Sequence, residues 1–262
     1  MTNGVPGGPD GPNRPTKAQR KEQARREREE LQRKIASRTR RRRLSLILVA
    51  VGAAAAIAGF TLLPSEALPT PQELFRRAAK AADAAGCGDV TTTLPYDPPS
   101  QDRIHLDPNS GPPLSTYPTV PPASGPHAAI PPGPLDAGVY DSPTLPELYR
   151  AIHSLEHGAT IIWYDPTTPS DRVATLTAFY DRRLQDADVG QDRVIVGPYD
   201  FLGDPAGVLP SGTQMALVAW HRLQTCARVD LAVAFDFTSQ YSFPTSQGRP
   251  YEGEAPEAGV AI

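Results

Sequence analysis

Two histidines and a glutamate share the hexapeptide 153–158 (HSLEHG), although the 262-residue chain contains only five histidines. If residues 145–157 form a helix, His153 and His157 lie four positions apart on one face, where two imidazoles can bind the same metal ion. Glu156 stands beside them as a further metal-ligating side chain. The hexapeptide therefore predicts one wall of a metal site.

The same residues match the inverted zinc-peptidase motif HxxEH, in which the glutamate activates a zinc-bound water. That mechanism requires a helix that continues beyond the second histidine. Gly158 and the β-branched, aromatic run at residues 159–164 predict instead that the helix ends and a buried strand follows. The chain also contains no GxSxG, Walker or strand-associated GxGxxG motif, so its sequence assigns no reaction.

Further ligands are expected from residues 95–134, a stretch that contains 13 prolines. Loops of this length without secondary structure are uncommon in compact domains, and they are usually functional or disordered. Because proline restricts the backbone, we expect this one to be stiff and to wrap over the domain surface. Folded back onto the 145–157 helix, it would supply further imidazoles to an ion such as Zn or Cu. The predicted metal ligands are His127, His153 and His157, with His105 and Glu156 as additional ones.

The pattern of apolar residues predicts an α/β (α+β) domain that would position this site. Residues 70–73 (TPQE) favour a helix start, because threonine can cap the helix, proline suits its first turn and glutamate completes a capping box. Gly86 ends that helix. The elements predicted after it are a strand at 90–94, a helix at 145–157, a strand at 159–164, a helix at 170–185, strands at 193–196 and 214–220, and a helix at 229–241. This order indicates helices packed on a mixed sheet.

Charge falls into three blocks that predict a membrane protein. Residues 1–43 contain 14 Lys/Arg and 5 Asp/Glu, residues 44–63 contain no charged residue, and residues 64–262 contain 12 Lys/Arg and 24 Asp/Glu. A helix of about 20 apolar residues spans about 30 Å, the thickness of the hydrocarbon core of a bilayer. Four arginines at 40–43 precede this run, so the positive-inside rule places the N-terminus in the cytoplasm and the C-terminal domain outside the plasma membrane.

A cleaved signal peptide is the alternative interpretation, since residues 65–67 (SEA) have the small-x-small pattern of a cleavage site. The 43 residues before the apolar run favour an uncleaved signal anchor with a single span. Residues 1–16 predict disorder, and residues 17–43 predict a charged helix without the sustained seam of a coiled coil. This basic tail either contacts anionic lipid or only sets the topology.

Both cysteines, Cys87 and Cys226, fall in the outer part, where an oxidising compartment favours a disulfide bond. Two unrelated buried thiols are the alternative. Neither cysteine belongs to a CxxC motif, so a thiol oxidoreductase is not expected. The predicted division of the chain is a cytoplasmic tail (1–43), a transmembrane helix (44–63), a juxtamembrane helix (64–86), an outer domain (87–243) and a loose tail (244–262).

Six polar and aromatic motifs lie between residues 121 and 257. They are PPASGPH at 121–127, GVYD at 138–141, HSLEHG at 153–158, WY at 163–164, AW at 219–220 and APE at 255–257. Together they resemble the bacterial domain-of-unknown-function 3105 family over roughly residues 85–262. The resemblance implies a membrane-anchored outer domain with no assigned activity, and it implies that Ser124 and Tyr140 support a metal or ligand site. Ala123 and His221 depart from the family pattern, so His221 is not expected in that site.

The sequence therefore predicts a single-pass membrane protein whose outer domain carries a His-rich metal or ligand site. In the alternative, the same side chains form a hydrogen-bonded structural cluster in a non-catalytic envelope or assembly protein, at a helix C-terminus that favours imidazolium. The excess of acidic residues in the outer part disfavours nucleic-acid binding. Protein partners are not predicted by any motif.

Overall fold

A six-stranded mixed sheet forms the centre of the computed structural model, which describes residues 68–185, 193–245 and 248–260. In chain order the strands are β1 (Thr91–Thr92), β2 (His105–Leu106), β3 (His127–Ala128), β4 (Gly138–Val139), β5 (Thr160–Tyr164), β6 (Val194–Pro198), β7 (Met215–Ala219) and β8 (Arg222–Cys226). The large sheet has the order β1-β8-β7-β5-β6-β4, in which β6 runs parallel to both of its neighbours and the other pairs are antiparallel. The strands β2 and β3 form a separate parallel pair.

The α-helices of the described residues are α1 (Pro71–Ala85), α2 (Leu145–Glu156), α3 (Ser170–Gln185) and α4 (Leu231–Tyr241). Both α1 and α2 begin with a capping box, formed by Thr70 with Glu73 and by Thr144 with Glu147. In each box, threonine and glutamate accept hydrogen bonds from each other's backbone N–H groups, which would otherwise lack a partner. The predicted mixed α/β domain with helices on a mixed sheet is thus confirmed.

Side chains alternate across the sheet and build one apolar core on each of its faces. On one face, Ile162 of β5 and Leu217 of β7 pack with α1, α3 and α4. On the other face, Ile161 and Trp163 of β5 pack with α2 and with buried residues of the proline-rich stretch. That stretch contributes Tyr96, Leu114, Tyr117 and Ala123, which are all buried. Since strands present successive side chains to opposite faces, a buried run such as 160–164 serves both cores.

Both ends of the described domain lie closer to the core than the sequence predicts. Helix α1, expected as a separate juxtamembrane helix, places Leu74 in the core and brings Phe75 within 4.9 Å of Phe235, ring centre to ring centre. Residues 248–260, expected to be loose, pack back on the domain. There Glu254, one of the acidic side chains of this segment, pairs with Arg222 at 2.5 Å.

The predicted basic tail and transmembrane helix, residues 1–43 and 44–63, lie outside the described residues. Within the three ranges that the structure describes, no helix combines the length and the apolar character needed to cross a membrane.

Cys87 and Cys226 form a disulfide bond, as the oxidising-compartment argument predicts. The bond joins the chain just after α1 to the last residue of β8. It closes a loop with a sequence separation of 139 residues, which contains the whole proline-rich stretch and helix α2. The elements that carry the predicted ligands therefore lie within one covalent ring.

Candidate metal centre

Helix α2 ends close to the histidines that face the proline-rich stretch. Ala159 and Gly158 donate backbone hydrogen bonds to the carbonyl oxygens of Ser154 and Leu155, the bond pattern with which a left-handed glycine commonly closes a helix. A Cβ at Gly158, where φ is +89°, would lie 2.8 Å from Cβ of Phe243. The helix therefore stops one turn after His153, which excludes the continuous helix of an HxxEH peptidase.

The last turn of α2 buries three polar side chains that the sequence predicts as ligands. His153, Glu156 and His157 are 1%, 0% and 4% exposed. On the adjoining side of the helix, Ile152 and Leu155 pack into the core against the sheet. The helix thus uses its apolar side for stability and its polar side for the cluster.

The short strands β2 and β3 bring two more histidines to this side of α2. Their parallel pairing places His105 directly opposite His127, and the ring centres lie 4.6 Å apart. The N–H of His127 donates to the carbonyl oxygen of Ile104 at 2.9 Å, which fixes the register. Opposed residues on neighbouring strands point to the same face, so both imidazoles turn toward the helix.

The imidazole of His127 is oriented by a backbone carbonyl group two residues earlier in the chain. Its Nδ1 lies 2.7 Å from the carbonyl oxygen of Gly125, which can only accept a hydrogen bond, so Nδ1 carries a proton. Its Nε2 faces Oε2 of Glu156 at 3.0 Å. Two electron-rich atoms at that distance need a positive charge between them, either a proton or a metal ion.

Four side chains converge on this point and are called the His3Glu set: His105, His127, His153 and Glu156. Each offers one nitrogen or oxygen, and the four atoms all lie within 4.8 Å of one another. Ligands bound at about 2.0–2.1 Å around a tetrahedral ion stand about 3.4 Å apart, so the widest gap in the set closes by roughly 1.4 Å at most when an ion enters. Small side-chain rotations supply that movement.

Glu156 is the anionic member of the set. Burial by itself raises its pKa, but hydrogen bonds from His127 and Arg103 outweigh burial and bring the pKa to about 2. Arg103 pairs with Oε1 of Glu156 through Nε, while Oε2 faces the histidines. The carboxylate is therefore ionised at neutral pH and held in place from outside the set.

The histidines around it are held in their neutral form. Burial lowers the pKa of His153 to about 4, helped by the neighbouring imidazoles and weakly opposed by the backbone of Ala128. Burial also lowers the pKa of His105 and that of His157. Neutral imidazoles are the form that binds metal ions, so the electrostatics keep these rings ready for an ion.

His157 lies next to the set rather than in it. Its Nε2 is 3.2 Å from Nε2 of His153 and 3.6 Å from Oε2 of Glu257. Nδ1 of His153 and Nδ1 of His157 are buried without a hydrogen-bond partner within the described residues. The predicted ligands His127 and His153 are thus brought together with His105 and Glu156, while His157 borders them on the side of Glu257.

The two predicted supporting residues occupy different places. Ser124 donates a hydrogen bond to Oδ1 of the buried Asp102 at 2.7 Å, and Nε2 of His221 lies 2.8 Å from Oδ2 of the same carboxylate. The two contacts to Asp102 hold in place the chain next to Arg103. Tyr140 is half-buried near the sheet edge, where its hydroxyl donates to the carbonyl oxygen of Asp136.

Two residues next to the set were not predicted from the sequence. Arg103 contacts Glu156 across 53 positions and Glu257 across 154 positions, and no local pattern reveals such distant pairs. The APE motif at 255–257 contains Glu257 and was the one available signal for it. Both side chains lie at the solvent side of the set.

Comparison with curated proteins and with solved structures finds no match. A family model described as protein of unknown function (DUF3105) matches residues 114–258. The matched range is more than half of the chain and includes His127, His153 and Glu156, whereas His105 lies before it. The chain therefore belongs to the DUF3105 family of proteins of unknown function.

Proposed function

We propose that this protein binds one Zn or Cu ion through the His3Glu set. The observation that carries the proposal is the pair formed by Nε2 of His127 and Oε2 of Glu156: because Nδ1 of His127 is protonated toward Gly125, these two atoms, 3.0 Å apart, need one positive charge between them, and a metal ion supplies it in place of a proton. His105 and His153 complete the set around that point. Imidazole nitrogens with one carboxylate oxygen suit both metals.

The surroundings support a bound ion over a purely structural cluster. A structural cluster is expected to satisfy its buried polar atoms, yet Nδ1 of His153, a member of the set, is left without a hydrogen-bond partner within the described residues. Each ring also lies within 5.1 Å of a neighbouring ring, centre to centre. A divalent cation would neutralise the carboxylate and give the imidazole electron pairs a common partner.

Metal analysis of the purified full-length chain tests the proposal. We expect about one Zn or Cu ion per chain and a melting temperature that rises when the ion is added. His153→Gln is expected to lower metal affinity by at least about 100-fold, in line with the strong effects of changes in and around metal sites. His221→Gln is the matched control, because His221 pairs with Asp102 outside the set.

Two results would overturn the metal proposal in favour of a structural cluster. One is a chain that holds substoichiometric Zn, Cu, Fe and Mn and whose melting temperature does not respond to any of them. The other is an equal loss of metal from the His153 and His221 variants. The cluster would then stabilise a non-catalytic envelope or assembly protein.

We also propose that residues 44–63 anchor the protein in the plasma membrane, with residues 1–43 in the cytoplasm and the metal-binding domain outside. The uncharged run and the arginines before it support this topology. The disulfide bond between Cys87 and Cys226 supports an oxidising compartment for the domain. In intact cells, a membrane-impermeant reagent is expected to label a tag after residue 262 and to spare a tag before residue 1. The reverse labelling would exclude the topology.

A further inference from the structure

Glu257 places a carboxylate at the solvent side of the His3Glu set. Its Oε1 lies 2.6 Å from Nη2 of Arg103, and its Oε2 lies 3.6 Å from Nε2 of His157. Its backbone N–H donates to the carbonyl oxygen of Glu156 at 3.0 Å. A carboxylate from the C-terminal segment therefore lies between a guanidinium and the imidazoles next to the set.

Arg103 holds two carboxylates of different character. The side chain of Glu156 is fully buried and faces the histidines, whereas that of Glu257 is 32% exposed. The side chain of Arg103, which joins them, is itself 50% exposed. Ion pairs at such exposure are weak and screened by water, so the pair with Glu257 can exchange with a carboxylate from solution.

This side of the set is also the one that solvent reaches. The side chain of His105 is 41% exposed, while those of His127 and Glu156 are fully buried. A small ligand that approaches along His105 and Arg103 reaches the edge of the set without displacing the core.

The charges around a bound divalent ion favour an anion at this position. The ion and Arg103 carry three positive charges, and the two glutamates carry two negative ones. A surplus of positive charge at an open edge attracts anions from solution. The planar fork of a guanidinium matches a carboxylate in particular.

We propose that Arg103, beside the bound metal, forms a binding site for a small carboxylate, and that Glu257 is the internal occupant that this ligand displaces. The inference rests on the metal centre proposed above and names the class of ligand that the centre takes. In this proposal Arg103 recognises the carboxylate ligand, and Glu257 competes with that ligand for Arg103.

The test titrates the full-length chain, purified in detergent and with its metal content measured in the same sample, with acetate. Glu257→Gln removes the internal carboxylate and is expected to tighten acetate binding by about ten-fold, the scale of one charge-assisted hydrogen bond. Arg103→Gln in that background is expected to abolish the gain. If this double variant does not fold, Arg103→Lys keeps the charge and loses the planar fork, and most of the gain is expected to be lost.

Glu254→Gln is the matched control, because Glu254 belongs to the same segment but pairs with Arg222. Its acetate affinity is expected to stay within about two-fold of the wild type. The inference is overturned if Glu257→Gln binds acetate no more tightly than the wild type, or if the Arg103 variants keep the gain. If metal analysis finds no ion, the metal proposal fails by itself. In that case acetate is titrated into the metal-free chains. The same order of acetate affinities among the variants would support the exchange of Glu257 for a free carboxylate at Arg103, and any other order would overturn it.

Discussion

The carbonyl oxygen of Gly125 lies 2.7 Å from Nδ1 of His127 and thereby decides which ring nitrogen faces Glu156. A backbone atom, fixed by a turn in the proline-rich stretch, thus orients a ligand of the His3Glu set. Such contacts to metal-binding histidines commonly set the tautomer and strengthen the ligand. The shape of the turn at Gly125 is therefore part of the proposed metal centre.

Gly125→Ala is predicted to weaken both the fold and metal binding. The backbone has φ +123°, and a Cβ would lie 2.6 Å from Cε1 of Tyr117. We expect a loss of about 1–3 kcal/mol in the free energy of unfolding, together with a roughly 10- to 100-fold loss of metal affinity as His127 moves. Urea unfolding and metal titration measure the two effects.

Gly203→Ala provides the control for Gly125→Ala. Gly203 also has a positive φ, +105°, but a Cβ added there would meet no described atom within 4 Å. Gly203→Ala should lower the free energy of unfolding only by the cost of the strained backbone, and it should keep full metal affinity. Equal metal affinities of the two variants would contradict the role of the turn.

Glu156→Gln is predicted to separate metal binding from stability. At a free ion concentration of about 100 times Kd, the wild type should gain about 2.7 kcal/mol in the free energy of unfolding, and the variant should gain far less. Without metal, the variant should lose only about 1–2 kcal/mol, because Arg103 is half-exposed and keeps its pair with Glu257. Glu252→Gln, at an exposed position, should behave like the wild type. An unchanged metal-dependent gain in Glu156→Gln would count against the site.

Reduction of the disulfide bond is predicted to lower the free energy of unfolding by up to about 4–5 kcal/mol, because the bond closes a long loop in the unfolded chain. The bond joins residues that lie 139 positions apart. Urea unfolding with and without reductant measures the loss. The double variant Cys87→Ala/Cys226→Ala should start at the lower value and show no response to reductant. A wild type that unfolds identically after complete reduction would refute the prediction.

The carboxyl group of Asp102 is predicted to contribute stability that disappears in acid. Burial raises its pKa, but hydrogen bonds from His221, Ser124 and the amide of Tyr96 together lower it below the ordinary 3.8. With a folded pKa below the unfolded one, the contribution is complete above pH 3.8 and is lost as pH falls through the folded pKa. Asp102→Asn should cost about 1–3 kcal/mol near neutral pH.

Unfolding free energies of the wild type and of Asp102→Asn, measured from about pH 5 to pH 3, test this prediction. The difference between the two proteins should shrink toward the acid end. A constant difference over that range would show that the ionised carboxylate is not the source of the stability.

Helix boundaries were predictable because their signals are local. Thr70, Pro71 and Glu73 start α1, and Gly86 ends it in the left-handed conformation, as the sequence indicates. Strand β8 was not predicted. The two-residue turn before it uses His221 at φ +55°, where a glycine or asparagine would have signalled a hairpin. Its sequence, RLQTC, also lacks the continuous apolar run that marked β5 and β7.

The candidate site was predictable only in outline. Helical spacing placed His153 on one face with His157, next to Glu156, and the long proline-rich stretch suggested that His127 would return to the helix. The pairing of β2 with β3 involves only two residues in each strand, which is too short for any periodic signal. The contacts of Arg103 arise from tertiary packing alone, so the open side of the site emerges only in three dimensions.

The bond between Cys87 and Cys226 has a consequence for proteolysis. All four members of the His3Glu set lie between these cysteines, so a single cut anywhere in that interval leaves them on one covalent body. Glu257 lies beyond the ring. Trimming of the C-terminal segment would therefore release the carboxylate that covers Arg103 and keep every ligand attached, which would turn a protected centre into an accessible one.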